Sequence, residues 1–292
     1  MTESNPARAT TGTLYIVATP IGNLADMVPR AVETLQTVAV IAAEDTRHSS
    51  HLLSHFDIRT PTVAYHDHSD QQRTSTLLQR LENGESVALI SDAGTPLISD
   101  PGYRLVREAR TRGIRVVPIP GACAMVAALC AAGLPSDRFA FEGFLPAKSQ
   151  ARQKALAALQ GEPRTLIFYE APHRVLECVE DIARVMGPDR EVVLARELTK
   201  TFETIKSAGA AELAAWIAAD SNQCRGEIVL VVQGAPERAS DEIDEESVRV
   251  MRILLEELPV KQAAALGARL TGQRKNNLYQ WALAEADRKG TS

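Results

Sequence analysis

Three stretches place carboxylates, imidazoles and cations side by side just after short apolar runs. They are Glu44, Asp45 and Arg47 in AEDTR, Glu170, His173 and Arg174 in YEAPHR, and Arg196, Glu197 and Lys200 in ARELTK. A positioned carboxylate or imidazole can take a proton from a reacting group. A guanidinium grips an anion with a planar fork, an ammonium with a point charge. The same residues have a plainer use, since Glu44–Arg47 and Glu197–Lys200 can pair and brace their loops.

The remaining reactive side chains point less clearly to chemistry. His48, His51 and His55 fall at i, i+3, i+7, a helical spacing that shares a face. No HExxH or comparable ligand motif accompanies them, so no metal is expected. His66 and His68 flank Asp67 after an apolar run and suit a substrate rim. Cys123, Cys130, Cys178 and Cys224 form no CxxC pair, and read as free, buried thiols in a reducing cytosol.

The elements that must position these groups alternate. Apolar runs at 14–18, 38–42, 62–65, 87–91, 116–119, 165–169, 192–195 and 227–232 are predicted strands, separated by helical patterns such as 70–84 and 103–113. That alternation predicts an α/β fold with a largely parallel sheet covered by helices. Gly, Pro or charge follows four of the strands directly, in TPIGN, AEDTR, DAGTPLISDPG and PGACA. Ligands of open α/β sheets bind beyond the carboxyl ends of the strands, so these loops predict one shared rim. In DAGTPLISDPG, Gly94 permits close backbone approach, Pro96 and Pro101 stiffen the chain, and Asp92 and Asp100 offer acceptors. Neither a Walker A motif nor GxGxxG occurs, which disfavours a P-loop NTPase and a standard dinucleotide site. A hydroxyl-rich or amide-bearing cofactor held mainly by backbone fits better.

The motifs TPIGNLADM, AEDTRH, SDAGTPLISDPGY, PGACA, GFLPAK, LIFYEAPHR, LARELTK and GEIVLVV, in this order, resemble the ribosomal RNA small subunit methyltransferase I family of the tetrapyrrole-methylase superfamily. The resemblance covers about residues 13–235, and LPVKQAAALGARLTG with KNNLYQWAL resembles that family's small C-terminal domain. It implies a two-domain tetrapyrrole-methylase-like fold: a mostly parallel N-terminal sheet, a mixed second sheet, and a small helical C-terminal module. It implies S-adenosylmethionine-dependent 2′-O-methylation of a decoding-centre cytidine in 16S rRNA, with the small ribosomal subunit as partner and a homodimer as the working form. Carried over motif by motif, Pro20 and Ile21 wall the cofactor pocket. Gly94, Thr95, Pro96 and Ile98 contact the methionine and ribose parts, and Gly121, Cys123 and Ala124 meet the cofactor through backbone. Tyr169, Glu227 and Ile228 close the adenine side. The first loop departs from the glycine-richer form common in the superfamily.

A ribose hydroxyl is a poor nucleophile, so a base should help remove its proton. Glu44 and Glu170 are the candidates, with Arg47, Arg196, Lys200 and Arg174 gripping phosphate. The expected segments are a polar tail at 1–12, α/β domains at 13–134 and 135–236, and a helical module at 237–292. From Val260 onward six basic residues face two acidic ones. Lys261, Arg274 and Lys275, with Tyr279 and Trp281, could therefore contact RNA; the same helices also carry an apolar face fit for capping or dimerisation. The 292 residues hold 32 Lys plus Arg against 37 Asp plus Glu, a net charge of −5, which disfavours a globally basic nucleic-acid binder. The longest apolar run, Ala122 to Ala132, is far short of the ~20 residues of a membrane span, and MTESNPARATTG has no apolar signal core. Methylation of a tetrapyrrole precursor and non-catalytic rRNA binding are the alternatives. EDTR, ARELTK and the basic tail argue for the rRNA branch.

Overall fold

The computed structural model describes residues 11–66, 71–236 and 243–290, with the side chains of 286–290 left out. Most of the polar tail and part of the acidic linker therefore lie outside the described residues. The chain divides into two compact units, one ending at Gly234 and one starting at Ala235.

The first unit holds two five-stranded sheets. In the N-terminal sheet, β1 (Thr13–Val17), β2 (Val40–Ala43), β3 (Thr62–Ala64), β4 (Val87–Ile90) and β5 (Arg115–Ile119) lie in the order β3-β2-β4-β1-β5. Every pairing is parallel, so all five carboxyl ends share one rim. β2 and β4 are buried at every residue, the pattern of strands covered on both faces. Val87 and Leu89 pack under α3 (Gln71–Glu82) and α4 (Tyr103–Thr111), whereas Ala88 and Ile90 pack under α1 (Pro29–Thr37) and α2 (Thr46–His55). α4 buries Leu105 and Ala109 as its spacing predicts, and the chain turns out of it at Gly113, φ +72°.

The second sheet is mixed. β6 (Phe139–Phe144), β7 (Thr165–Glu170), β8 (Glu191–Arg196), β9 (Thr204–Gly209) and β10 (Ile228–Val232) run in the order β6-β7-β10-β8-β9, with β6 and β7 parallel and the rest antiparallel. One face packs Leu166, Phe168, Leu194 and Leu230 beneath α6 (Ser149–Leu159), α7 (Val175–Met186) and α8 (Ala210–Ala219). The other packs Ile167, Val193, Val229 and Val231 against α5 (Ala124–Ala132) and Ile21. α5 thus leaves the edge of the first sheet and packs on the second, which brings the two together. It buries Ala128, Leu129 and Ala132; Cys130 is exposed and Cys123 half-buried, so of the four thiols only Cys178 is fully buried, contrary to the sequence expectation.

Between α6 and α7 the guanidinium of Arg152 is wholly buried, its Nε donating to Asp181 Oδ2 at 2.7 Å. Burial alone would push Asp181 upward, but hydrogen bonds from Arg152, Gln153 and Ser149 outweigh it and hold the carboxyl below its usual range. Removing one partner of such a pair strands the other charge. Asp181→Ala is expected to cost about 3–5 kcal/mol in urea unfolding, and a loss below about 1 kcal/mol would contradict the pairing.

The second unit is a three-helix cluster of α9 (Glu245–Glu257), α10 (Val260–Thr271) and α11 (Lys275–Gly290). Asp244 caps α9 through the Ser247 N–H at 2.7 Å, and Gly272 ends α10 in the left-handed region. Met251, Ala263, Ala264, Leu278 and Ala282 form the core. A Cβ on Gly267 would sit 2.5 Å from Met251 Sδ, so glycine is what lets α9 and α10 approach. Lys261, Arg274 and Lys275 are all exposed.

Candidate active site

The loops beyond the parallel strands are tied together by backbone. Thr19 N donates to Gly94 O at 2.8 Å and Gly94 N to Thr19 O at 3.1 Å. Thr95 Oγ1 donates to Ala122 O at 2.9 Å, and Asp45 N to Asp92 Oδ1 at 3.0 Å. Gly94 has φ +82°, and a Cβ there would lie 3.2 Å from Ile21 Cγ2. Leu97 and Ser99 also take positive φ without being glycine, so the loop stores backbone strain.

A cavity of about 350 Å³ opens between this rim and the second sheet. The first sheet contributes Ile21, Gly94, Thr95, Ile98, Cys123 and Ala124, all expected there, together with Asp100. The second contributes Tyr169 and the stretch from Gly226 to Val229, with Phe144, Ala195 and Leu198, which sequence reasoning did not single out. The structure places the other three expected residues off the cavity. Pro20 lines a neighbouring groove, Pro96 is buried within its loop, and Gly121 packs on Ala18, where a Cβ would approach to 2.9 Å. The Tyr169 ring meets Phe141 and Phe144 edge-on, and its hydroxyl accepts the Met125 N–H at 3.3 Å. Burial, then the nearby Cys123, push this phenol well above its usual range, so it stays neutral.

Glu170 also lines the cavity, at the carboxyl end of β7, with one carboxylate oxygen tied up by its neighbours. Along β7 it shares parity with Leu166 and Phe168, which pack under α7, while Ile167 and Tyr169 point the other way. Its carboxylate accepts the Ala171 N–H at 2.7 Å and pairs with Arg174 Nε. The thiol of Cys178 sits behind it, pushed far up by burial and by that charge. Those two bonds let Glu170 brace its loop, and Glu44 is the base favoured below. Arg174, also donating to Leu145 O at 3.2 Å, is likewise committed inside the protein and not offered to RNA. Glu170→Gln is expected to lower stability by about 1–3 kcal/mol in urea and to leave the pH profile of turnover in place. A lost rising limb in that profile would make it the base.

Arg196 is buried as well, its Nη2 donating to Phe202 O at 3.1 Å and Thr204 Oγ1 at 3.0 Å, so it pins the following loop and does not reach a substrate. Lys200 pairs with Glu197 at 2.9 Å and Glu227 at 3.1 Å, the bracing alternative. Its stem crosses Gly22, where a Cβ would lie 2.4 Å from Lys200 Cγ.

Glu44 is half-buried in a cluster with Asp92 and Asp100. Burial first, then Asp100 and Asp92, raise its pKa against the opposing Asp92 N–H and His66. Asp100 is raised by burial and by Asp92, with a Ser91 hydrogen bond opposing. Asp45 caps α2 through the Arg47 N–H at 2.8 Å, which leaves Arg47 exposed at the rim. His66 is exposed beside Glu44, and His68 lies outside the described residues. Beside the cavity a second groove of about 280 Å³ is lined by His48, His51, Leu52, Asp92 and Lys200, and shares Ile21, Ala93 and Glu227 with it. Among the described residues no three His, Cys, Asp or Glu side chains are placed so that they could hold a metal ion together, and no helix is long and apolar enough to cross a membrane.

Residues 13–214 match the family of Tetrapyrrole (Corrin/Porphyrin) Methylases, and residues 241–286 match the RsmI C-terminal HTH domain. The chain is 61% identical over 274 residues to ribosomal RNA small subunit methyltransferase I of Pseudomonas aeruginosa, covering 93% of this chain and 97% of that one. It is 56% identical over 285 residues to the protein of the same name from Escherichia coli O157:H7, covering 98% and 99%. The chain belongs to the ribosomal RNA small subunit methyltransferase I family. Its α/β part has the tetrapyrrole-methylase fold, a parallel sheet joined to a mixed one. Uroporphyrin-III C-methyltransferase from Thermus thermophilus, solved in complex with S-adenyl homocysteine, superposes with a TM-score of 0.52 at 17% identity, over 76% of this chain and 97% of that one. At that identity the likeness is one of fold.

Proposed function

We propose that the chain is an S-adenosylmethionine-dependent methyltransferase that acts on the 2′-oxygen of a cytidine ribose in 16S rRNA. The observation that carries this is a single cavity walled by both sheets, in a chain with close relatives named for small-subunit rRNA methylation. The residues present fit the donor. Asp100 offers a carboxylate to a cationic ligand. Cys123, the N-cap of α5, makes no side-chain cap bond, so the start of α5 beside the Met125–Tyr169 bond suits an anionic carboxylate. Ile98, Phe144 and Val229 supply apolar walls, while Gly94, Thr95 and Gly226 to Ile228 bring backbone close.

S-adenosylmethionine supplies an activated methyl group carried on a sulfonium. The chain's own work is to orient, to exclude water and to take a proton. Oriented reactants gain about 7–11 kcal/mol from positioning alone. The acceptor ribose enters by the groove that His48, His51, Leu52 and Asp92 line, next to the cavity. Glu44, its pKa raised by burial and by Asp100 and Asp92, takes the hydroxyl proton, and Asp92 accepts a hydrogen bond at the same edge. Arg47 stands at the rim for a flanking phosphate.

Methyl transfer from tritiated S-adenosylmethionine to isolated 30S subunits, followed by mapping of ribose methyls, tests the proposal. Label at one cytidine 2′-oxygen is expected. Label on a base, or on a tetrapyrrole precursor and not on RNA, would overturn it. A substrate in the small ribosomal subunit supports a cytoplasmic location. The working form we take is a homodimer, for which sedimentation equilibrium should give twice the 31.6 kDa chain mass.

A further inference from the structure

We propose that the outer face of α4 docks the phosphate backbone of ribosomal RNA, an inference that rests on the rRNA reading above and names a contact surface for it. The helix anchors itself through Leu105 and Ala109 and turns Tyr103, Arg104, Arg107 and Arg110 outward, with Arg112 and Arg115 following. Arg112 is paired with Glu82 at 3.0 Å and Glu108 at 3.6 Å. Arg104, Arg107, Arg110 and Arg115 make no ion pair among the described residues, so four cations within twelve residues stand uncompensated on a chain of net charge −5. Arg104 and Arg107 line an open groove between α3 and α4 with Gln71, Tyr103 and the mutually paired Glu108 and Arg112, and Tyr103 is 60% exposed. Guanidinium forks interleaved with an exposed aromatic ring suit phosphates with an unstacked base between them. A second copy of the chain is a poor occupant, because a two-fold contact would set arginines against arginines. α4 starts three residues after Asp100 of the cavity, so the surface continues from the rim where the acceptor must arrive.

The test is the variant R104Q/R107Q/R110Q, measured for binding to 30S subunits by filter retention across 50–300 mM salt. These side chains are exposed, so the melting temperature should hold. Affinity at about 150 mM salt should fall roughly tenfold, and the slope of log K against log salt should shrink by about 2, from about 0.7 per lost phosphate contact. Affinity for S-adenosylmethionine and turnover at saturating subunit should not change. Unchanged subunit affinity and slope would overturn the proposal, as would weakened binding that tracks loss of a dimer in sedimentation. Wild-type protein that binds subunits with the steeper slope yet transfers no methyl would sink the activity and leave this surface standing.

Discussion

Replacing Asp100 by Asn will weaken S-adenosylmethionine binding at least tenfold and, in the same variant, make the free protein more stable. The two effects have one cause. Asp100 lines the cavity, and burial and then Asp92 raise its pKa, with the Ser91 hydrogen bond opposing. A carboxyl raised in the folded state contributes stability below its unfolded pKa, and that contribution is lost as pH climbs through the folded value. At pH 7 the charge therefore works against the empty fold and is present for a cationic ligand. A hydrogen bond to a charged group is worth about 1.5–3 kcal/mol, which sets the expected loss at ten- to a hundredfold. Calorimetric titration should show it, and thermal unfolding of free D100N at pH 7 should rise by about 1–2 °C. As the pH falls and the raised wild-type carboxyl takes up its proton, the stability difference should shrink. Unchanged affinity would remove Asp100 from the donor site.

Glu44→Gln is expected to lower kcat by about a hundredfold, the lower range for a positioned general base, with the affinity for S-adenosylmethionine within about twofold of wild type. Glu44 lies in the carboxylate cluster and does not line the donor cavity, so binding and chemistry should separate. Its pKa is raised by burial, Asp100 and Asp92, so the base is competent only above a pH higher than an ordinary glutamate would require. The wild-type kcat should climb with pH through that raised value and then level, and the Gln variant should lose the climb. D100N, which removes one of the two like charges, should shift the climb to lower pH. A Gln variant with full kcat and an intact profile would send the search to Asp92.

Much of this site is legible in the chain because parallel strands put all their carboxyl ends on one side. Gly, Pro and charge after β1, β2, β4 and β5 then mark a common rim, and the Thr19–Gly94 bridge and the Thr95–Ala122 hydrogen bond join three of those loops. What the sequence hides is facing. TLIFYE is apolar on both sides of β7, so nothing in it says that Tyr169 packs with α5 while Glu170 pairs with Arg174. β6 is hidden for a related reason: its register shifts between Phe141 and Gly143, which breaks the alternation that would mark a strand and sets Phe144 at the cavity. β9 is a polar edge strand, TIKSAG, with too little buried surface to stand out. Arg196 and Lys200 carry the side chains of phosphate binders, and only the fold shows Arg196 Nη2 bonded to the following loop and Lys200 paired with Glu197 and Glu227. Asp100 is visible as an acceptor in its loop, but its place in the cavity depends on the strained turn at Leu97 and Ser99.

The central claim, one donor site formed jointly by both sheets, is tested most directly by amide hydrogen exchange with and without S-adenosylhomocysteine. Protection should rise together at 94–98, at 123–127 and at 226–229, and nowhere else to the same degree. Protection confined to the loops of one sheet, or none at saturating ligand, would contradict it.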